Sequence, residues 1–368
     1  MGVQCDVVAW TWLSGSNLPT QPGTYGLMGL ASPSNTPGGR WLYGIHLDEE
    51  RRLIYLLAGE GVSTTGTTLL NDLWQFNLTN DIWTWLAGSN NSVQNPRANY
   101  GTKGVSTSVT IFGGRKNFGS VFVASQNSIY VIAGYGRDAS TAYGELNDMW
   151  KIDLSAIRFT WMNGSSYRDM RAKIGPLKQF SSTSWPSTRQ GILFNFNPLL
   201  DQMVYFDGIF RNQLWIYDLK LHQFAYHGPA LPVRHSNDYG SRGVYATSNN
   251  PPPRQGHVIM YSLKQKILIS FSGGISGYFN DPVSDLWWYN TTRQQFVWAS
   301  GGNSFQQPAI FGTIGQFSMA NRPSYVEGHS VAYIHESDIS LFFGGSGAYS
   351  SQSKHNQSNS RALKNVMK

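Results

Sequence analysis

His257 and His329 are the side chains that most invite chemistry, since an imidazole can ligate a metal or move a proton near neutral pH. Each stands 31 residues after an aromatic residue that closes a repeated segment, Tyr226 and Trp298. The same place in the other repeats is held by Tyr43, Phe118 and Ile192. A position that takes Tyr, Phe and Ile is a packing position, so both histidines are expected in the core. Arg40, Arg115, Arg189 and Arg254 recur 28 to 30 residues after the closing aromatics. A buried guanidinium needs a partner, and each arginine is expected to pair with a neighbouring repeat. Residues that belong to one repeat only are free to meet a partner. Arg137, Asp138, Tyr143, Arg211, Tyr278 and Asp281 are the candidate partner-binding residues, with an ordinary solvated loop residue as the competing reading for each.

Other chemistry finds little support. Cys5 is the only cysteine, which excludes an intrachain disulfide and a thiolate metal cluster and fits a reducing compartment. No Gly-x-Ser-x-Gly elbow, phosphate loop or His-Glu-x-x-His motif occurs. No catalytic, cofactor-binding or metal-binding residue is therefore named. The net charge is +7, but Lys354, Arg361, Lys364 and Lys368 supply four of those charges near the end of the chain, leaving +3. That is too weak for a nucleic-acid surface. No stretch is apolar for the eighteen residues a membrane helix needs, and the first residues lack a signal-peptide pattern. Gly2 is followed by Asp6 where a myristoylation motif wants Ser or Thr. As written the chain reads as cytoplasmic, and an extracellular origin follows only if sequence is missing upstream. Asn77, Asn90, Asn163, Asn290 and Asn356 begin glycosylation acceptors, a number that chance supplies in a chain this rich in Asn, Ser and Thr.

These residues are positioned by a repeat. Asn71–Trp85 (NDLWQFNLTNDIWTW) returns as Asn147–Trp161, Asn212–Tyr226 and Ser284–Trp298, each with an aromatic residue eleven positions after the first Trp. The closing aromatics lie 73, 76, 65 and 72 residues apart along the chain from Trp12 to Trp298. Alternating side chains around short polar turns predict a second hairpin before each copy, from Trp41–Leu47 with Leu53–Ala58 to His329–Ile334 with Ile339–Phe343. Most second strands end in a small residue or a glycine pair, as at Ala58-Gly59, Ala133-Gly134, Gly273-Gly274 and Gly344-Gly345. The repeat is thus a four-stranded antiparallel sheet with large rings on both faces. Such sheets must stack on one another, and radial stacking into a β-propeller is the closed solution.

The glycine pairs, the Asp-Leu-Trp strand at Asp72–Trp74 and Asp285–Trp287, its Asp-Met-Trp form at Asp148–Trp150, and the second aromatic eleven residues on resemble kelch repeats. The linkers with Tyr-Gly-x-x-Gly at Tyr25, Tyr100 and Tyr239 are most similar to those of attractin- and muskelin-type kelch propellers. The expectation is an all-β, kelch-type β-propeller with about five repeats over residues 1–345. It has a partial first blade at 9–17, full blades at about 40–90, 115–166, 189–230 and 254–303, and a partial blade at 326–345. The polar and basic tail 346–368 is expected to be disordered. Either Ala9–Leu13 completes the last blade in a five-bladed ring, or the chain is a fragment of a six- or seven-bladed ring, which the resemblance favours. Gln213 replaces the usual Asp, and Asn163–Thr188 lacks Tyr-Gly-x-x-Gly, so the third full blade is the irregular one.

The resemblance also gives the enzyme alternative a form, because a copper oxidase of the galactose-oxidase kind uses a kelch-like propeller. Its site takes two tyrosines, one linked to cysteine, and two histidines, and no such set surrounds Cys5. The acid-and-histidine pattern of iron-dependent kelch specifier proteins is absent as well. A propeller puts the connections between second and third strands, with the inter-blade linkers, on one face and the hairpin turns on the other. Glu60–Leu70, Tyr135–Leu146 and Ile275–Val283 read as long loops of the first kind, and Asp48–Arg52 and Thr79–Asp81 as trimmed turns of the second. Function gathers on the long-loop face of a rigid scaffold. The expected function is non-enzymatic binding of a protein or glycan there, without a cofactor. An extracellular adhesion or receptor fragment is a further alternative.

Overall fold

The computed structural model describes residues 12–90, 92–140, 142–207, 213–228, 238–252, 254, 257–273, 283–304, 307–313, 316, 318, 320–324, 330–334, 337–343 and 365–367. Apart from a 3-10 turn at Ala124–Gln126, the regular structure of these residues is β-strand. Blade 1 comprises Gly44–Asp48, Leu53–Ser63, Gly66–Asn77 and Ile82–Ala87. Blade 2 repeats the plan with Gly119–Val123, Ser128–Arg137, Tyr143–Asp153 and Arg158–Asn163. Blade 3 has Leu193–Asn197, Gln202–Asp207, Gln213–Asp218 and Gln223–Tyr226. Blade 4 has Val258–Ser262, Ile267–Phe271, Leu286–Asn290 and Gln295–Ser300. A fifth sheet holds Ser330–Ile334, Ile339–Phe343 and Asn365–Met367. Every strand of blades 1 to 4 pairs antiparallel with the next in sequence.

The eleven-residue spacing has a plain cause. It brings the two aromatics directly opposite each other across the outer hairpin, as Trp74 with Trp85, Trp150 with Trp161, Trp215 with Tyr226 and Trp287 with Trp298. Cross-strand aromatic pairs favour that register over its neighbours. The first ring of each pair is fully buried. Successive sheets share cores: Tyr55 and Leu57 of blade 1 meet Val131 and Trp150 of blade 2. Ile132 and Met149 of blade 2 meet Tyr205 and Trp215 of blade 3, and Phe206 of blade 3 meets Leu268 and Trp287 of blade 4. Met260 and Ile269 meet Phe342 of the fifth sheet. Burying one such side chain contributes roughly 1.5–3 kcal/mol, so these contacts dominate stability. The chain is an all-β propeller of four-stranded antiparallel blades.

Three expectations change. Glu60–Leu70 and Tyr135–Leu146 are hairpin arms instead of irregular loops, for the ladder runs on to Ser63 opposite Gly66 and to Arg137 opposite Tyr143. Each ladder passes a bulge, at Leu57/Gly59 and at Ile132/Gly134. Gly59 and Gly134 have φ of +99° and +95°, and a Cβ on either would lie under 3 Å from the carbonyl of Trp41 or Lys116. Glycine therefore serves as the bulge residue that re-aims the arm. In blade 4 the left-handed pair is Ser272-Gly273, one residue earlier than the glycine pair suggests. The tail is not wholly without structure, since Asn365–Met367 pairs with Phe342–Ser340. At the other end, Trp12 and Leu13 are exposed and lie in no strand, and Ala9–Thr11 fall outside the described residues. The loop 275–282 also falls outside them.

Candidate functional site

The recurring arginines build a buried network in three blades. Arg40 donates to both carboxylate oxygens of Asp72, at 2.7 and 2.9 Å. Arg115 does the same to Asp148 at 2.9 and 2.7 Å, and Arg254 to Asp285 at 2.5 and 2.9 Å. The tyrosine of Tyr-Gly-x-x-Gly joins the same carboxylate: Tyr25 to Asp72 at 2.7 Å, Tyr100 to Asp148 at 2.7 Å and Tyr239 to Asp285 at 2.6 Å. The indole N–H groups of Trp74, Trp150 and Trp287 complete the set at 2.7, 2.6 and 2.8 Å. Burial, then the neighbouring carboxylate, pushes all three tyrosine hydroxyls far above their ordinary pKa, so they remain donors. These ion pairs lie within a blade, which corrects the expected pairing between repeats. A bidentate, charge-assisted pair with its remaining lone pairs satisfied is a scaffold element.

Blade 3 breaks the pattern where the sequence breaks it. Gln213 stands in place of the aspartate and accepts from the Trp215 indole at 3.3 Å, while Arg189 reaches Glu145 of blade 2 at 3.3 Å. Among the described residues, Arg189 alone of the recurring arginines pairs with another blade.

His257 is buried and meets the edge of Phe206 with ring centroids 5.2 Å apart, the packing place its repeat partners indicate. His329 lies outside the described residues. His227 is the buried histidine that repeat reasoning missed: its Nδ1 lies 2.8 Å from the Tyr289 hydroxyl of blade 4. Burial, with Lys178 adding to it, lowers its pKa to about 4. Among the described residues no three His, Cys, Asp or Glu side chains form a group able to hold a metal ion.

Backbone hydrogen bonds identify the two faces. The trimmed turns of blades 1 to 3 are tied together, Leu78 N–H to Arg52 O at 3.0 Å, Leu154 to Asn127 at 3.0 Å and Leu219 to Asp201 at 3.1 Å. On the opposite face the arms of blades 1 and 2 share one brace. Asn95 Oδ1 accepts from Leu69 N–H at 2.9 Å, and Asn95 O accepts from Arg137 Nη1 at 2.8 Å. The Arg137 guanidinium also stacks 5.1 Å from the centroid of the exposed Tyr143 ring. Asp138 does not join them as a contact residue. It is buried, and its carboxylate accepts from the Ser140 and Ala142 N–H groups and the Ser140 hydroxyl at 2.7 to 3.1 Å, and from Arg168 N–H at 3.2 Å. Burial raises its pKa, but these hydrogen bonds outweigh it and the net shift is downward. Asp138 is thus the staple of its own loop. Arg211, Tyr278 and Asp281 lie outside the described residues.

The linkers are less free than a loop reading implies. Each runs back along the outer strand of the blade that follows it: Gly29 N–H donates to Trp85 O at 2.7 Å, Gly104 to Trp161 at 2.8 Å and Gly243 to Trp298 at 2.9 Å. Tyr25 packs edge-on against Trp85, with ring centroids 5.0 Å apart, and Tyr100 and Tyr239 do likewise with Trp161 and Trp298.

No family model matches the chain, and no curated protein matches it. Among solved structures, one described as "Structure of YjhT" is similar over 85% of this chain and 74% of its own, at 13% sequence identity and a TM-score of 0.47.

Proposed function

We propose that this chain is a kelch-type repeat propeller acting as a non-enzymatic interaction module, which binds a protein, or a glycan, through the face that carries the hairpin arms of blades 1 and 2. The kelch reading is supported by the Arg, Asp, Tyr and Trp set repeated in blades 1, 2 and 4. The observation that carries the binding reading is the pair of arms, ending at Ser63–Gly66 and Arg137–Tyr143 and braced by Asn95, set against trimmed turns on the other face. Arg137 and Tyr143 present an aromatic ring and a guanidinium in one stacked pair, side-chain types that anchor interfaces. Bracing lowers the ordering cost that a free loop would incur on binding.

The test is capture of a partner from source cells, followed by affinity measurement on variants. Tyr143→Ala and Arg137→Ala/Tyr143→Ala are expected to weaken binding about tenfold or more, the loss of roughly 2 kcal/mol usual for such anchors. Lys220→Ala/His222→Ala, on the turn of the opposite face, is expected to leave it unchanged. Equal losses from both faces would remove the argument, and turnover of a substrate by the purified protein would replace it.

A further inference from the structure

Blade 2 differs from its neighbours at its outer edge. In blade 1 the linker makes a bridge from Ser32 to Trp83, in blade 3 from Ser181 to Phe224, and in blade 4 from Ala246 to Phe296. The repeat places Phe159 of blade 2 in the same position, opposite Ile152 as Trp83 is opposite Phe76. Among the described residues it has no such bridge. Blades 1 and 4 have an asparagine at this place as a second donor, while blade 3 keeps its bridge with Ser184 there. Asn35 Nδ2 donates to Trp83 O at 3.1 Å and to Leu30 O at 2.9 Å, and Asn249 donates to Phe296 O at 3.0 Å and to Val244 O at 2.7 Å. Counting from the glycine of the linker motif, the residue in blade 2 is Thr110. Its hydroxyl accepts the Thr107 N–H at 3.2 Å and makes no hydrogen bond to the strand among the described residues. Thr107 occupies the place of Ser32, whose N–H goes to Trp83 O. Both donors that cover the outward carbonyl in a sister blade are therefore diverted, and Phe159 O accepts no linker hydrogen bond among the described residues.

A cavity of about 430 Å³ opens at this place, lined by Phe159, Thr107, Thr110, Ile111, Arg97 and Arg158 among others. That is the size of a small-ligand or peptide-segment site. Arg97 and Arg158 are exposed, and neither meets a carboxylate among the described residues. Arg158 makes only a 3.4 Å contact to Ile157 O. A groove with an uncovered backbone acceptor at Phe159 O, an apolar floor at Ile111 and Phe159, and two guanidiniums without a carboxylate partner among the described residues suits one kind of occupant. We propose that the outer edge of blade 2 binds an extended acidic peptide. Its backbone N–H takes the place of Thr107 at Phe159 O, and its carboxylates meet Arg97 and Arg158. Edge addition supplies main-chain hydrogen bonds, and the arginines supply selectivity for acidic side chains. Neither Arg137 nor Tyr143 is among the residues that line it.

The probe is an acetylated, amidated, fluorescent decapeptide of alternating valine and glutamate, followed by fluorescence polarisation. Binding to the native protein is expected, with losses of tenfold or more when glutamine replaces glutamate and when the alternate amides of one peptide edge are N-methylated. Arg97→Ala/Arg158→Ala should lose a similar factor. Thr110→Asn, which restores the covering donor, should abolish binding with the charges intact, while Arg137→Ala/Tyr143→Ala should leave it unchanged. Absence of binding to the native protein, or binding that survives Thr110→Asn, overturns the proposal. So does a sulfated oligosaccharide that binds through the arginines regardless of Thr110→Asn.

Discussion

Arg189 Nη1 lies 3.3 Å from Glu145 Oε2, which joins blade 3 to blade 2 through a partly exposed ion pair where the arginines of blades 1, 2 and 4 sit in sealed pairs within their own blades. The difference follows from Gln213, which offers a neutral oxygen and leaves its Nε2 without a partner among the described residues. The two settings predict different costs. Asp148→Asn leaves Arg115 as an uncompensated charge at zero exposure, and a loss of about 3–5 kcal/mol is expected. Glu145→Gln should cost less than about 1 kcal/mol, because water screens that pair. Urea denaturation of both variants decides it, and equal losses would mean that burial does not set the strength of these pairs.

How far the sequence leads depends on what each residue must do. Trp74 and Trp85 were readable because a hairpin pairs residues at a fixed spacing, and stacking followed from rings on both faces. The partner of Arg115 was not, since 33 residues separate it from Asp148 and no local period links them. The usable signal was the co-occurrence of Arg, Asp and Tyr-Gly-x-x-Gly in blades 1, 2 and 4 and the loss of two of the three in blade 3. Glu60–Leu70 looked like a loop because Gly61, Thr64, Thr65 and Gly66 are turn residues by composition, yet one bulge keeps the ladder going. Asp138 looked like a contact because an acid in a loop reads the same whether it faces solvent or its own backbone. Thr110 and Ser184 among Asn35, Asn249 and Asn321 were visible in the sequence, but the threonine gained a meaning only beside the bridge that Phe159 lacks among the described residues.

Glycine at the bulges should prove more costly to replace than glycine at a tip. Gly134→Ala places a Cβ 2.8 Å from Lys116 O at φ +95°, adding a clash to backbone strain, and should destabilise by well over about 1 kcal/mol. Gly66→Ala meets nothing within 4 Å and carries the strain alone. Thermal unfolding of the two variants measures the difference. A larger loss at Gly66 would argue against the close approach of the arm to the Lys116 strand.

Thr110→Asn should raise stability as well as close the rim. Gly101 leaves room beside it, as Gly26 does for Asn35, with φ +57° and +58°. Two hydrogen bonds to backbone carbonyls at about 1 kcal/mol each set the upper bound of the gain. Hydrogen exchange adds a local reading, because slower exchange at Thr107 is expected once its N–H returns to Phe159 O. Unchanged protection there would mean that the linker does not follow the asparagine.

His227 makes stability depend on pH in a definite direction. Its pKa falls from an ordinary 6.5 to about 4, first because burial penalises the imidazolium and second because Lys178 repels it. The unfolded chain then binds more protons than the folded one between these values. Stability is therefore full above about pH 6.5 and declines as the pH drops towards 4, by at most about 3 kcal/mol. The Tyr289 hydroxyl, whose pKa burial raises far above the ordinary value, stays protonated 2.8 Å from Nδ1, and it donates there in the tautomer that carries the ring proton on Nε2. His227→Gln keeps a polar group facing Tyr289 and cannot titrate, so its stability should fall less between pH 7 and pH 4.5 than that of the native protein. Carboxylates contribute equally to both curves and cancel in the comparison. Parallel curves would show that His227 is solvated or already charged, and that the contact between blades 3 and 4 does not depend on its proton.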